Sequence, residues 1–121
     1  MKILESAENY LETILVLHQK NGEVRSIDIV NEMNFSKPSV SVAMKHFRED
    51  GYIVMDENGY ISLTEKGLEI AQKIYERHTV LTDLLVKMGV SEDTAAQDAC
   101  RIEHDLSDET FEKIKVFTRE L

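Results

Sequence analysis

The stretch NFSKPSVSVAMKHFREDGYIVMDENGYISL, residues 34–63, decides the fold. Ser36 is a good helix N-cap, and Pro38 suits the first turn of a helix, where its missing N–H costs nothing. Val40, Ala43, Met44 and Phe47 follow at helical spacing, which leaves Ser39, Ser41, Val42, Lys45 and His46 facing outward. Gly51 stops the helix. The pattern then shortens: Tyr52–Met55 and Tyr60–Leu63 predict two short strands. Asn58-Gly59 between them is a strong hairpin signal, because both residues tolerate positive φ.

Working outward, Leu4, Ala7, Leu11, Ile14, Leu15 and Leu17 predict a first helix over Leu4–Lys20, ended by Asn21-Gly22. Ser26 is expected to cap a short second helix over Ile27–Met33, joined to the third by the tight Asn34-Phe35 link. Downstream, Thr64 caps a long helix to about Met88, with Leu68, Ala71, Ile74, Tyr75, Leu81, Leu84, Leu85 and Met88 as its apolar stripe. Gly89 ends it, Ser91 caps the next helix, and Ser107 begins a last one. The expected fold is mainly α: an N-terminal winged helix-turn-helix over residues 1–63, then a helical domain over 64–121.

Composition narrows the class. With 42% hydrophobic residues in 121, the chain can build a core. No apolar run approaches the roughly 18–20 residues that span a bilayer, so no membrane partner is expected. The opening MKILESAENY carries acids where a signal peptide has its apolar centre. A lone cysteine permits no internal disulfide. Both features point to the cytoplasm.

Net charge is −9, which by itself argues against nucleic acid. The charge is unevenly spread, however. Residues 33–48 hold Lys37, Lys45 and Arg48 and no acid, whereas residues 91–121 hold four bases and nine acids. A helix-turn-helix puts its second helix in the major groove, N-terminal end first. Ser36, Lys37, Ser39 and Ser41 supply the small polar start that this needs, with Pro38 in the same first turn, and Lys45, His46 and Arg48 supply cations farther along. Arg25, just before the second helix, can reach the opposite backbone. Ser39, Ser41 and Lys45 are the expected base-edge contacts.

A second cluster lies in ACRIEHDLSDE, residues 99–109. On a continuous helix Cys100, Glu103 and His104 span about a 100° arc and share one face. Thiolate, carboxylate and imidazole together suit a first-row transition metal. Three ligands from one helix rarely complete a shell, so others must come from elsewhere. His78, on the stripe of the long helix, is one candidate, although a lone inward histidine is more often a satisfied core residue. Asn9 and Glu12, one turn apart on the first helix, are others, with plain helix surface as the competing reading.

Taken together, SAENYLETI, the S-K-P-S-V-S helix start, LTEKG after the wing, RH in the long helix and ACRIEHDLSDE resemble the diphtheria toxin repressor family. These are iron- or manganese-dependent transcriptional repressors. The resemblance implies that the helical domain binds metal and dimerises. It places the metal ligands at Asn9, Glu12, His78, Cys100, Glu103 and His104. It implies Fe(II) or Mn(II) as co-repressor, with Co, Ni or Zn able to substitute, a homodimer and a palindromic double-stranded operator. Cys100 follows the iron branch and Glu12 the manganese branch, while Asn9 follows neither. The second site of the iron branch would fall on Thr82 and Ala96 and is incomplete. The chain stops where many members continue into a small SH3-like barrel.

No small-molecule substrate and no enzymatic activity are expected, since there is no H-E-x-x-H and no spare paired acid at metal-site spacing. The alternative is a winged-helix regulator that responds to a small molecule, or to thiol oxidation at Cys100, without metal.

Overall fold

The computed structural model describes residues 5–121. Among these the order is α1 (Glu5–Asn21), α2 (Ser26–Met33), α3 (Lys37–Glu49), β1 (Ile53–Met55), β2 (Ile61–Leu63), α4 (Glu65–Lys87), α5 (Glu92–Ile102) and α6 (Asp108–Arg119). Leu4, expected at the start of the first helix, lies outside the described residues. The chain divides into two compact units, 1–72 and 73–121, with the division inside α4.

The first unit is a winged helix-turn-helix. Its core joins Leu11 and Ile14 of α1, Ile29 of α2, Val40 and Met44 of α3, Ile53 and Ile61 of the hairpin, and Ala71 of α4. Burying each large aliphatic side chain contributes about 1.5–3 kcal/mol, against about 1 kcal/mol for a single cap. The apolar stripes therefore dominate the fold, and the caps set where helices begin. Asn34 takes the left-handed conformation (φ 56°) and makes the tight link between α2 and α3. The Ser36 hydroxyl accepts the Ser39 N–H at 3.2 Å, as a cap should. The second helix begins differently from expectation. Arg25 is its N-cap, and the Asp28 carboxylate accepts the Arg25 N–H at 2.9 Å. The N-terminus of α2 is thus tied by an acid reaching back to the cap N–H rather than by a serine hydroxyl taking an N–H of the first turn.

In the wing, Val54 pairs with Ser62 in an antiparallel ladder. Only Gly59 takes positive φ (83°), so Asn58 contributes otherwise. Its N–H and that of Tyr60 both donate to the Asp56 carboxylate at 2.9 Å. The Ile61 N–H donates to the Val24 carbonyl at 2.7 Å, which anchors the wing beside the start of α2. Thr64 caps α4 by accepting the Gly67 N–H at 3.1 Å. Gly67 is required there, because a Cβ would collide with the Tyr52 carbonyl oxygen.

In the second unit Ile74, Arg77 and Leu81 of α4 are buried, as are Ala95 and Ala99 of α5 and Phe111 and Thr118 of α6. The Ser107 hydroxyl caps α6 by accepting the Thr110 N–H at 3.1 Å. Two members of the expected apolar stripe, Tyr75 and Met88, are exposed, Met88 to 69%. Exposed Val116, Phe117 and Leu121 on and after α6 add to the apolar surface of this unit.

Candidate DNA interface and metal centre

The DNA-reading candidates all lie in the first unit. Ser36, Lys37, Pro38, Ser39, Ser41, Lys45 and His46 are exposed along α3, on the side opposite buried Val40, Met44 and Phe47. The Ser36 hydroxyl also donates to the Ser39 hydroxyl at 2.8 Å, so the cap organises the helix start as well as lining it. Arg25 is exposed, and its guanidinium lies 4.4 Å from the centre of the Tyr60 ring. That stacking holds the Arg25 cation beside the wing. The wing itself, residues 53–63, contains Asp56 and Glu57 and no lysine or arginine. The candidate cations for phosphate contact are therefore those of α3 and Arg25. Val42, 55% exposed among the polar residues of α3, is an apolar group on the same face.

The metal candidates divide between the units. Asn9 and Glu12 are half-buried, one turn apart on α1 in the first unit. Their neighbour Tyr10 is buried, which pushes its phenol pKa up, and it meets Phe35 and Phe47 edge-on at 5.6 Å.

In the second unit three candidates converge. Glu103 is fully buried. Its Oε2 lies 2.9 Å from Nδ1 of His78, and its Oε1 lies 3.4 Å from Nε2 of His104. The His104 side chain is 2% exposed and that of His78 31%. Oε1 of Glu103 makes no hydrogen bond of good geometry. A carboxylate removed from water keeps its charge only beside cations or donors. The imidazole nitrogens here are themselves good metal donors, and His78 and Glu103 each offer a ligand atom. This set of carboxylate and imidazole donors with an under-satisfied oxygen fits a divalent transition metal.

Cys100 stands apart in burial. The arc drawn for one continuous helix differs from the structure, because α5 ends at Ile102, Glu103 is its C-cap and His104 lies in the following turn. Glu103 continues the buried stripe of Ala95 and Ala99, whereas Cys100 is on the exposed side.

One residue of this centre escaped the sequence reading. Arg77 is buried, and its guanidinium donates to the carbonyls of Glu103 (3.1 Å) and Leu106 (2.7 Å) and to Asp108 Oδ1 (2.7 Å). Its carbon lies 5.3 Å from the centre of the Phe111 ring. The available signal was a cation on the buried 74–77–81 stripe. Asp108 also meets Lys73 at 2.8 Å. The hydrogen bond and charge of Lys73, then the charge of Arg77, hold the Asp108 carboxyl below its usual range.

Comparisons with known proteins give two adjoining family matches. Residues 2–61 match the family model of the iron-dependent repressor N-terminal DNA-binding domain. Residues 64–121 match that of the iron-dependent repressor metal-binding and dimerisation domain. The latter match overturns the alternative of a regulator working without metal through a small molecule or Cys100. An uncharacterised HTH-type transcriptional regulator of Methanocaldococcus jannaschii is 36% identical over 115 residues, covering 93% of this chain and 92% of that protein. The transcriptional regulator MntR of Escherichia coli O157:H7 is 33% identical over 115 residues, covering 95% of this chain and 74% of that protein. Among solved structures, the manganese regulator SloR superposes with a TM-score of 0.81 at 25% identity. The match covers 93% of this chain and 53% of SloR, so the chain spans about half of that structure. Among the described residues no helix is long and apolar enough to cross a membrane.

Proposed function

This chain belongs to the iron-dependent, or diphtheria toxin, repressor family, and from that premise we propose that it is a homodimeric repressor whose grip on DNA is set by a bound divalent metal. The observation that carries the metal reading is Glu103, a fully buried carboxylate between two imidazoles with one oxygen lacking a good hydrogen bond. His78, Glu103 and His104 are the proposed ligands in the second unit, and Glu12 and Asn9 the proposed ligands from α1. Cys100, on the exposed side of α5, is the proposed marginal member of the set. Buried carboxylate and imidazole donors suit Mn(II) and Fe(II), with Co, Ni and Zn able to substitute. A divalent cation held by these residues would supply positive charge and coordination bonds to their carboxylates and imidazoles.

The side chains do the rest. Glu103 and His104 wait in a turn held from α4, so little ordering remains for them on binding. Glu12, once engaged, restricts α1 and with it the winged unit. A ligand shifts a protein between states only by binding one of them better, and here that state is the one competent for DNA. In the dimer the two α3 helices read half-sites about one duplex turn, roughly 34 Å, apart, which makes the operator a palindrome. Ser39, Ser41 and Lys45 take base edges, Arg25, Ser36 and Lys37 set the register on phosphates, and Pro38 and His46 flank them. The many acids of the helical domain attract cations and keep that part off the duplex.

The test is selection of duplexes from a random pool, with Mn(II), with Fe(II) under anaerobic conditions, and with chelator. A palindrome enriched only in the metal arms supports the proposal. The same enrichment with chelator defeats it.

A further inference from the structure

Resting on the metal-site reading above, we propose that Arg77 is a positioning residue for the metal centre: it holds the backbone of Glu103 while its neighbour His78 holds the carboxylate. The carbonyl of Glu103 is one of the orphan acceptors left at the C-terminus of α5. Arg77 satisfies it at 3.1 Å and, with the same guanidinium, takes the Leu106 carbonyl at 2.7 Å and Asp108 Oδ1 at 2.7 Å. One side chain thus grips the start and the end of the 103–108 turn. Adjacent positions on α4 therefore act on the two halves of one residue: Arg77 on the main chain of Glu103, His78 on its side chain at 2.9 Å. His104, next in the turn, is carried along.

The guanidinium is suited to this role by its shape. Its planar fork reaches three acceptors in different directions and lies over the Phe111 ring, which a flexible ammonium on a longer stem does not reproduce. A buried arginine on an otherwise apolar stripe is costly unless it serves several acceptors at once, and Arg77 does so. Partners that orient ligands without touching the metal typically change affinity about 10–100-fold when removed.

The experiment titrates Co(II) and Mn(II) into the full chain, reading Co(II) absorption and Mn(II) magnetic resonance, with helicity and melting of the metal-free protein measured alongside. The variants are Arg77→Lys and Asp108→Asn. Lys115→Met serves as a control: it breaks the 3.2 Å Lys115–Glu76 bridge, which also joins α4 to α6 but does not touch the 103–108 turn. The expected result is an affinity about 10–100-fold lower and an altered Co(II) band for Arg77→Lys. A smaller change in the same direction is expected for Asp108→Asn, and none for Lys115→Met. Natural protein that binds neither metal would overturn the underlying metal-site reading. Binding by the natural protein with unchanged affinity and band in Arg77→Lys would overturn this inference alone. Should Arg77→Lys fail to fold, unchanged affinity and band in Asp108→Asn would overturn it equally.

Discussion

Glu103 is where the energetics are most exposed to test. Its carboxylate is fully buried, with His78 Nδ1 at 2.9 Å and His104 Nε2 at 3.4 Å, both of them metal donors. Glu103→Gln keeps the shape and removes the charge. The metal-free variant is expected to fold, because the glutamine amide still offers an acceptor and donors to His78 and His104. The rise in melting temperature on adding Mn(II) should disappear; a rise equal to that of the natural protein would contradict the ligand role. Asp108 makes a second residue-scale prediction. Lys73 and Arg77 lower its folded pKa, so its contribution to stability is present above the ordinary carboxyl value and is lost as pH falls through the lowered one. Being exposed, the pair is screened by salt. Acid unfolding followed by circular dichroism should therefore show a shallower loss below pH ~4 in Asp108→Asn than in the natural protein at low salt, and the difference should shrink in high salt. Buried Glu103 with its two histidines was legible as a set of donor types at suggestive spacing. Arg77 was legible only as a cation on an apolar stripe, since nothing in one dimension tells which carbonyls a guanidinium will meet.

At the scale of elements, the caps and stripes of the first unit were readable because local chemistry fixes them. Ser36, Pro38 and Gly51 bound α3 as their conformational preferences require. Where two local signals competed, the reading slipped. Ser26 reads as the N-cap of α2, but Asp28 accepts the Arg25 N–H and the cap falls one residue earlier, so that Ser26 is the first helical residue. The end of α5 was missed because neither glycine nor proline marks it. The chain leaves the helix at Glu103, where Arg77, from 26 positions upstream, takes the last carbonyl. Such a stop is tertiary and is invisible to local pattern. The wing yields a prediction of its own. It has no cation, and its tip carries Asp56 and Glu57. Glu57→Lys should tighten binding to any duplex, operator or not, and steepen the dependence of log affinity on log salt by about 1. Gel-shift titrations across a salt series would check this, and an unchanged slope would place the wing tip away from phosphate.

For the whole molecule, the division of charge says more than its total. A net of −9 hides an acid-free stretch over residues 33–48 in the DNA-binding half, followed by an acid-rich helical domain, and each half matches its own family model. The order of elements was fully visible in the chain. The exposure of Met88, Val116 and Phe117 was not, because periodicity marks a residue as apolar without saying whether its own chain or a second copy covers it. The proposed function requires coupling between the candidate metal centre and the DNA-binding domain. That coupling is measured most directly by the fluorescence anisotropy of a labelled duplex carrying the selected palindrome, as Mn(II) is titrated into natural protein and into Glu103→Gln with His104→Ala. The natural protein should gain DNA affinity at least about tenfold as the metal saturates, a coupling near 1.4 kcal/mol, and the double variant should gain none. Equal DNA affinity with and without metal in the natural protein would contradict the account.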